Sequence, residues 1–255
     1  MTLELKGVSK NYPGGYGVKP VDFFLDRSTT AVLIGPSGCG KSTLLRMILG
    51  LIKPDAGSVW LDGEELTKES ALRLRRNVGY VEQDGGLFPH LTGRENVLLM
   101  SKFLKCDAAK SERRLAELAE ITKLPECALK RYPSQLSGGQ KQRLSLIRAL
   151  MLNPELLLLD EPMGALDPMI RVDLQRDLRQ IFRTLNKTVI MVTHDLAEAF
   201  FLGDEIILMH EGRVVQRGCA GDLCDTPRED FVSQFLSAHQ PLDLGRKWND
   251  APVVH

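Results

Sequence analysis

The stretch Gly35–Ser42, GPSGCGKS, matches the spacing G-x-x-x-x-G-K-[ST], with the apolar run TTAVLIG entering it and KSTLLRMILGLI leaving it. A strand, a glycine loop and a helix in that order let backbone N–H groups wrap phosphate oxygens while the helix N-terminus adds partial positive charge. Lys41 would neutralise the outer phosphates and Ser42 would ligate Mg²⁺. Pro36, Ser37, Gly38, Cys39, Gly40 and Thr43 complete the candidate cradle. The plain alternative is a turn that only joins strand to helix, and the flanking elements weigh against it.

A nucleotide site also needs a carboxylate for the metal and a group that orients water. LLLLDEP supplies both candidates: Asp160 and Glu161 follow four leucines and so end a buried strand, at the edge of an open α/β sheet where ligands collect. Paired carboxylates at a strand end also serve as helix caps or solvated groups, but the leucines hold this pair at the rim of the core. Asp160 is then read as the Mg²⁺ residue and Glu161 as general base. His194, after TVIMVT, ends a neighbouring strand, where it would touch the γ-phosphate or the ordered water instead of being an ordinary surface histidine. Gln83, at the end of VGYVEQ, could reach Mg²⁺ or water through its amide oxygen, a solvated glutamine being the plain reading.

A second paired-glycine turn opens a helix at LSGGQKQR, Leu136 to Arg143, without the lysine that follows the first loop. Composition frames both. The chain has 255 residues, 43% of them hydrophobic, with 33 basic residues against 33 acidic, so phosphate recognition must be local and no nucleic-acid partner is expected. No apolar run approaches the roughly 18 residues of a membrane span, and the N-terminus lacks a basic, apolar leader, which points to a soluble cytosolic chain. The cysteines at 39, 106, 127, 219 and 224 are scattered and odd in number, and read as reduced thiols, with Cys39 present as a small loop residue.

The elements that must position these residues follow from periodicity. LELKGVSKNY reads as a strand, SVWLDGEEL as a hairpin, and the block from Asn96 to about Leu152 as helices. ELLLLDEP and KTVIMVTHD, separated by the helical IRVDLQRDLRQIFRTL, look buried on both faces, and DEIILMHEGRVVQRG closes on an EG turn before the helix REDFVSQFLSAH. The fold class expected is α/β with a mainly parallel sheet covered by helices. One folding unit over residues 1–240 is expected, with a helical subdomain at about 84–153 and a short tail at 241–255.

With GPSGCGKST, Gln83, LSGGQKQR, LLLLDEP, GALD and VTHD in that order, residues 3 to 235 resemble the ATP-binding subunit of an ABC transporter. The resemblance implies a P-loop NTPase core of RecA type, an N-terminal antiparallel β region and an inserted helical subdomain. It implies Tyr12 as the aromatic that stacks on adenine, Gln83 as the Q-loop residue, Asp167 as the D-loop aspartate and His194 as the switch histidine. ATP would be the substrate and Mg²⁺ the cofactor. It also explains the missing lysine: Ser137, Gly138, Gly139 and Gln140, with Asp167, would serve the ATP held by a partner subunit, most simply an identical one, facing head to tail.

GGLFPHLTGRENV after the Q-loop is similar to importer ATPases, which work with separate membrane permease subunits and, indirectly, a substrate-binding protein. That places the chain at the cytoplasmic face of the membrane. VEQDGGLFPHLT and FRTLNKTVIMVTHDLAEA look like the ATPases of importers for glycine betaine, choline or related quaternary amines, although Glu82 stands where a neutral or apolar residue is expected. The competing expectation is a non-transport ABC protein that remodels a protein or nucleic-acid complex; such proteins usually carry two ATP-binding domains in one chain or a long insertion.

Overall fold

The computed structural model describes residues 1–164 and 166–239, and the tail expected at 241–255 lies outside the described residues. The chain runs through β1 (Leu3–Asn11), β2 (Gly17–Leu25), β3 (Thr30–Ile34), the first glycine loop and α1 (Lys41–Ile48). β4 (Ala56–Leu61) and β5 (Glu64–Glu65) form a short hairpin, followed by α2 (Ala71–Arg75) and β6 (Val78–Val81). A helical block comes next, α3 (Gly93–Phe103), α4 (Ala108–Ile121), α5 (Glu126–Leu129) and α6 (Gly138–Leu150). Alternation then resumes with β7 (Leu156–Asp160), α7 (Pro168–Thr184), β8 (Thr188–Val192), α8 (Leu196–Leu202) and β9 (Glu205–His210), before β10 (Arg213–Gly218), α9 (Ala220–Asp225) and α10 (Asp230–His239).

Two sheets result. The larger has the order β10-β9-β3-β8-β7-β6, parallel throughout except where β10 returns against β9. The smaller, β2-β1-β4-β5, is antiparallel. Successive strand side chains point to opposite faces, and β7 uses this fully: Leu157 and Leu159 join one core while Leu156 and Leu158 join the other. The first core lies under α3, α4, α6, α7, α8, α9 and α10, and the second lies between the parallel sheet, α1 and the antiparallel sheet. Both faces are therefore apolar, which is why these strands read as unbroken Leu, Val and Ile runs.

Three boundaries differ from expectation. α1 stops at Ile48 instead of running through LGLI, because Gly50 adopts a left-handed φ of 64° just past the helix end. α3 begins at Gly93, not Asn96, because Thr92 and Glu95 form a reciprocal capping box. β6 ends at Val81, so Gln83 sits in the following turn. β2 has no counterpart in the sequence expectation: Pro20 and Asp22 interrupt its pattern, and both are accommodated because β2 is an edge strand.

Candidate active site

The parallel strands direct their C-terminal ends to one edge, where ligands of open α/β sheets bind. From β3 the chain enters the glycine loop at Gly35, whose φ is 142°; a Cβ there would stand 2.1 Å from the Met209 carbonyl oxygen, so no side chain fits. Lys41 opens α1 and is buried, its Nζ donating to the carbonyls of Gly35 at 2.7 Å and Pro36 at 2.9 Å. This holds an ammonium at the loop's inner wall. Ser42, one residue on, donates its hydroxyl to Asp160 Oδ1 at 3.2 Å.

Asp160 is only 6% exposed. Burial pushes its carboxyl above the usual range, partly offset by the Ser42 hydrogen bond, with the Glu161 charge raising it further and Arg46 and Lys41 opposing. A buried anion held among polar groups and facing a hydroxyl is an oxygen donor set of the kind a hard divalent cation prefers, so Ser42 and Asp160 fit Mg²⁺. Gln83 faces the second carboxylate. Its amide nitrogen donates to Glu161 Oε2 at 3.3 Å.

Glu161 carries the least ordinary backbone of the site, a φ of 45° in the left-handed region that a side chain visits at a cost. Its N–H donates to the Val192 carbonyl at 3.0 Å, which ties it to the end of β8. Two residues past that strand, His194 brings Nδ1 to 3.4 Å from Glu161 Oε2. One carboxylate oxygen thus gathers an amide and an imidazole, contributed from the ends of β6 and β8, beside the β7 pair.

These residues border a cleft of about 570 Å³, lined among others by Tyr12, the glycine loop through Thr43, Glu161 and His194. That is within the usual range for a small-molecule pocket. Tyr12 is 38% exposed, and its N–H is bound by the Tyr16 carbonyl at 2.8 Å across the Gly14–Gly15 turn. Tyr16, Gly17 and His239 also line the cleft and were missed by sequence reasoning. YPGGYG, with an aromatic on each side of a tight turn, is the signal that could have found Tyr16; His239 left none.

The second glycine turn is not part of this cleft. Ser137 caps α6, its hydroxyl accepting from the Gln140 N–H at 3.3 Å while the Gln140 side chain accepts from the Ser137 N–H at 3.1 Å. At this capped end Ser137 and Gly138 are exposed while Gly139 is buried. Glycine is needed on this turn for an intramolecular reason as well: a Cβ on Gly139 would lie 2.9 Å from Ile170 of α7. Asp167 caps α7, accepting from the Met169 N–H at 3.0 Å.

Farther along α6, Arg143 pairs with Asp177 of α7 at 2.7 Å and donates to the Thr122 carbonyl. Arg148 donates to the carbonyls of Gly86 at 2.5 Å and Gly85 at 2.8 Å, and Ser145 adds a bond to Gly85 at 2.8 Å. The helix that starts at Ser137 is thereby fastened to the turn that carries Gln83. Arg148 and Ser145 were not singled out from the sequence, where they are one arginine and one serine in an ordinary helical pattern.

This fold and this edge define an ATP-binding cassette. Residues 18–164 match the ABC transporter family model, and the chain belongs to that family. It is 43% identical over 235 residues to the glycine betaine/carnitine/choline transport ATP-binding protein OpuCA of Bacillus subtilis, a match that covers 92% of this chain and 62% of the relative. A sulfate/thiosulfate import ATP-binding protein, CysA of Gloeobacter violaceus, is 43% identical over 237 residues, covering 92% of this chain and 68% of that one. Among solved structures, the dimeric post-hydrolysis state of the ATP-binding cassette MJ0796 bound to ADP and Pi superposes with a TM-score of 0.77 at 34% identity, covering 85% of this chain and 98% of that one. The chain spans about 62% of the length of the osmoprotectant relatives.

Proposed function

We propose that the chain is the ATP-hydrolysing subunit of an ABC importer, and that it works as a head-to-tail dimer on separate membrane permease subunits. The observation that carries this reading is the convergence of Gln83 and His194 on Glu161, beside the Ser42–Asp160 pair and the Lys41 loop. ATP would lie with its base on Tyr12 and its phosphates in the loop Gly35–Thr43. Lys41 offsets phosphate charge. Ser42 and Asp160 would hold Mg²⁺, with Gln83 close by, and the ion would supply neutralisation of the β- and γ-phosphate oxygens.

Glu161 takes a proton from the attacking water as its oxygen bonds to the γ-phosphorus and the bond to the β-phosphate oxygen breaks. His194 and Gln83 orient that carboxylate and the water. Ser137 to Gln140 and Asp167 would close over the γ-phosphate of the partner's ATP, so that the nucleotide joins the two subunits and hydrolysis releases them. The dimeric state named for the MJ0796 relative supports this arrangement.

Phe88 supports a permease partner. It is 44% exposed on the loop after Gln83, and that loop is rigidly built: Asn96 accepts from the Phe88 N–H at 2.7 Å and donates to the Phe88 and Leu91 carbonyls. A fixed, exposed aromatic suits the end of a partner helix. Among the described residues no helix is long and apolar enough to cross a membrane, so the passage itself would belong to the permease, with the chain at its cytoplasmic face. The names of the OpuCA and OpuBA relatives favour quaternary amines as the solute, delivered by a binding protein.

The test is nucleotide binding and ATPase assay of Lys41→Ala, then uptake of labelled choline and sulfate by cells lacking the gene. Loss of nucleotide binding with loss of choline uptake is expected. Unchanged nucleotide binding would overturn the site, and sulfate-only uptake would overturn the solute.

A further inference from the structure

Thr193, His194 and Asp195 connect β8 to α8, and the two residues that flank the histidine belong to a cluster built around one arginine of α7. We propose that a clasp of Arg171, Asp195 and Glu198 positions His194 against Glu161, which makes Arg171 and Glu198 positioning residues for hydrolysis. The inference rests on the reading of Glu161 as the base and His194 as its orienting partner.

His194 has little of its own to hold it. Its side chain is 59% exposed, and Glu161 is its one close polar partner among the described residues. The place of the ring is therefore set by the backbone on either side. On one side Thr193 is buried, its N–H donating to the Leu33 carbonyl at 3.2 Å. Its hydroxyl donates to Glu198 Oε2 at 2.5 Å and accepts from the Asp195 N–H at 3.1 Å, so a single oxygen spans the histidine. On the other side Asp195 Oδ1 caps α8, accepting from the N–H groups of Ala197 at 2.8 Å and Glu198 at 3.2 Å.

Arg171 closes the cluster. Its Nη1 donates to Asp195 Oδ2 at 3.3 Å, its Nε lies 3.7 Å from Glu198 Oε1, and its Nη2 donates to the carbonyl of Leu166, the residue before Asp167. Glu198 is 3% exposed, and Arg171 is the only cation in ion-pair range of it among the described residues. A carboxylate so buried depends on that partner. Without the guanidinium the Asp195 and Glu198 carboxylates would face each other as like charges, and the connection between them and His194 would relax. A shift of about 1 Å at a reacting group is enough to cost up to about 10²-fold in rate.

The test measures ATP hydrolysis and ATP binding on the full chain, with unfolding midpoints recorded for each variant. Arg171→Met is expected to lower kcat about 10- to 100-fold while the ATP dissociation constant, read by calorimetry, stays as in the parent. In a His194→Ala background the same substitution is expected to lower the residual rate no further. A second readout needs no turnover: in the nucleotide-free chain the His194 imidazole resonance, assigned by its loss in His194→Ala, should move on Glu161→Gln in the parent and stay still in the Arg171→Met background. Thr193→Val keeps the shape and removes the hydroxyl that spans the histidine, so it carries the kcat test if Arg171→Met does not fold. An unchanged kcat in either folded variant, or an equal fall with and without His194, would overturn the clasp. His194→Ala hydrolysing ATP as fast as the parent would instead sink the reading of the site on which the clasp rests.

Discussion

His194 Nδ1 stands 3.4 Å from Glu161 Oε2, and the Gln83 amide nitrogen reaches the same oxygen at 3.3 Å, so that residues following three different strands share one carboxylate oxygen. That oxygen is held from both sides. A carboxylate so oriented would need little reorganisation to act as the proposed base, which is what efficient general-base catalysis requires.

Glu161→Gln keeps the shape and the left-handed backbone but removes the basic oxygen. Steady phosphate release is expected to fall about 10²- to 10⁴-fold. ATP-dependent dimer should persist or accumulate by size-exclusion chromatography, since binding is left intact. An ATPase rate equal to that of the parent chain would remove Glu161 as base.

Ser137→Arg places a long cation at the exposed cap of α6. ATP binding by the monomer should be unaffected, because Ser137 does not line the Lys41 cleft, while ATP-induced dimerisation and turnover should be lost. Normal dimerisation of this variant, read by light scattering, would contradict the shared site.

Arg143→Leu tests what fastens α6 to α7. Asp177 is 6% exposed and would keep only Lys123, at 2.7 Å, as a charged partner. Removing one member of a largely buried pair leaves a charge poorly compensated, so a loss of about 2 kcal/mol in urea unfolding is expected. Full retention of the midpoint would mean that Lys123 alone compensates Asp177.

Glu198 supplies a pH signature. Burial, chiefly, holds its carboxyl above the ordinary 4.5, with the Thr193 hydrogen bond opposing and the nearby Asp195 charge adding to the rise. The folded state therefore resists ionisation that the unfolded chain undergoes freely, and the stability contributed by this group falls as pH rises from 4.5 through the folded value. Glu198→Gln is expected to raise the unfolding free energy at pH 7 relative to the parent. The gain should shrink as pH falls toward 4.5; a gain independent of pH would assign the effect to something other than this carboxyl.

Local chemistry was legible from the sequence. The G-x-x-x-x-G-K-S spacing announces its own loop because glycine φ values and a helix start are short-range properties, and the unbroken leucines of β7 announce a strand buried on both faces. The hairpin at Asp62–Gly63 and the turn at Glu211–Gly212 were equally local, both pairs having positive φ.

What the tertiary structure alone decided depends on strand order. Only because β3, β8, β7 and β6 lie side by side in that non-sequential order do Ser42, His194, Glu161 and Gln83 meet, and no local pattern encodes a crossover. The left-handed backbone of Glu161 is held by the Val192 carbonyl on another strand, and the grip of Arg148 on Gly85 and Gly86 closes a separation of more than sixty residues. His239 belongs with these. Its presence in the cleft results from rings stacked back to His210, a long-range packing contact that periodicity along one helix cannot reveal.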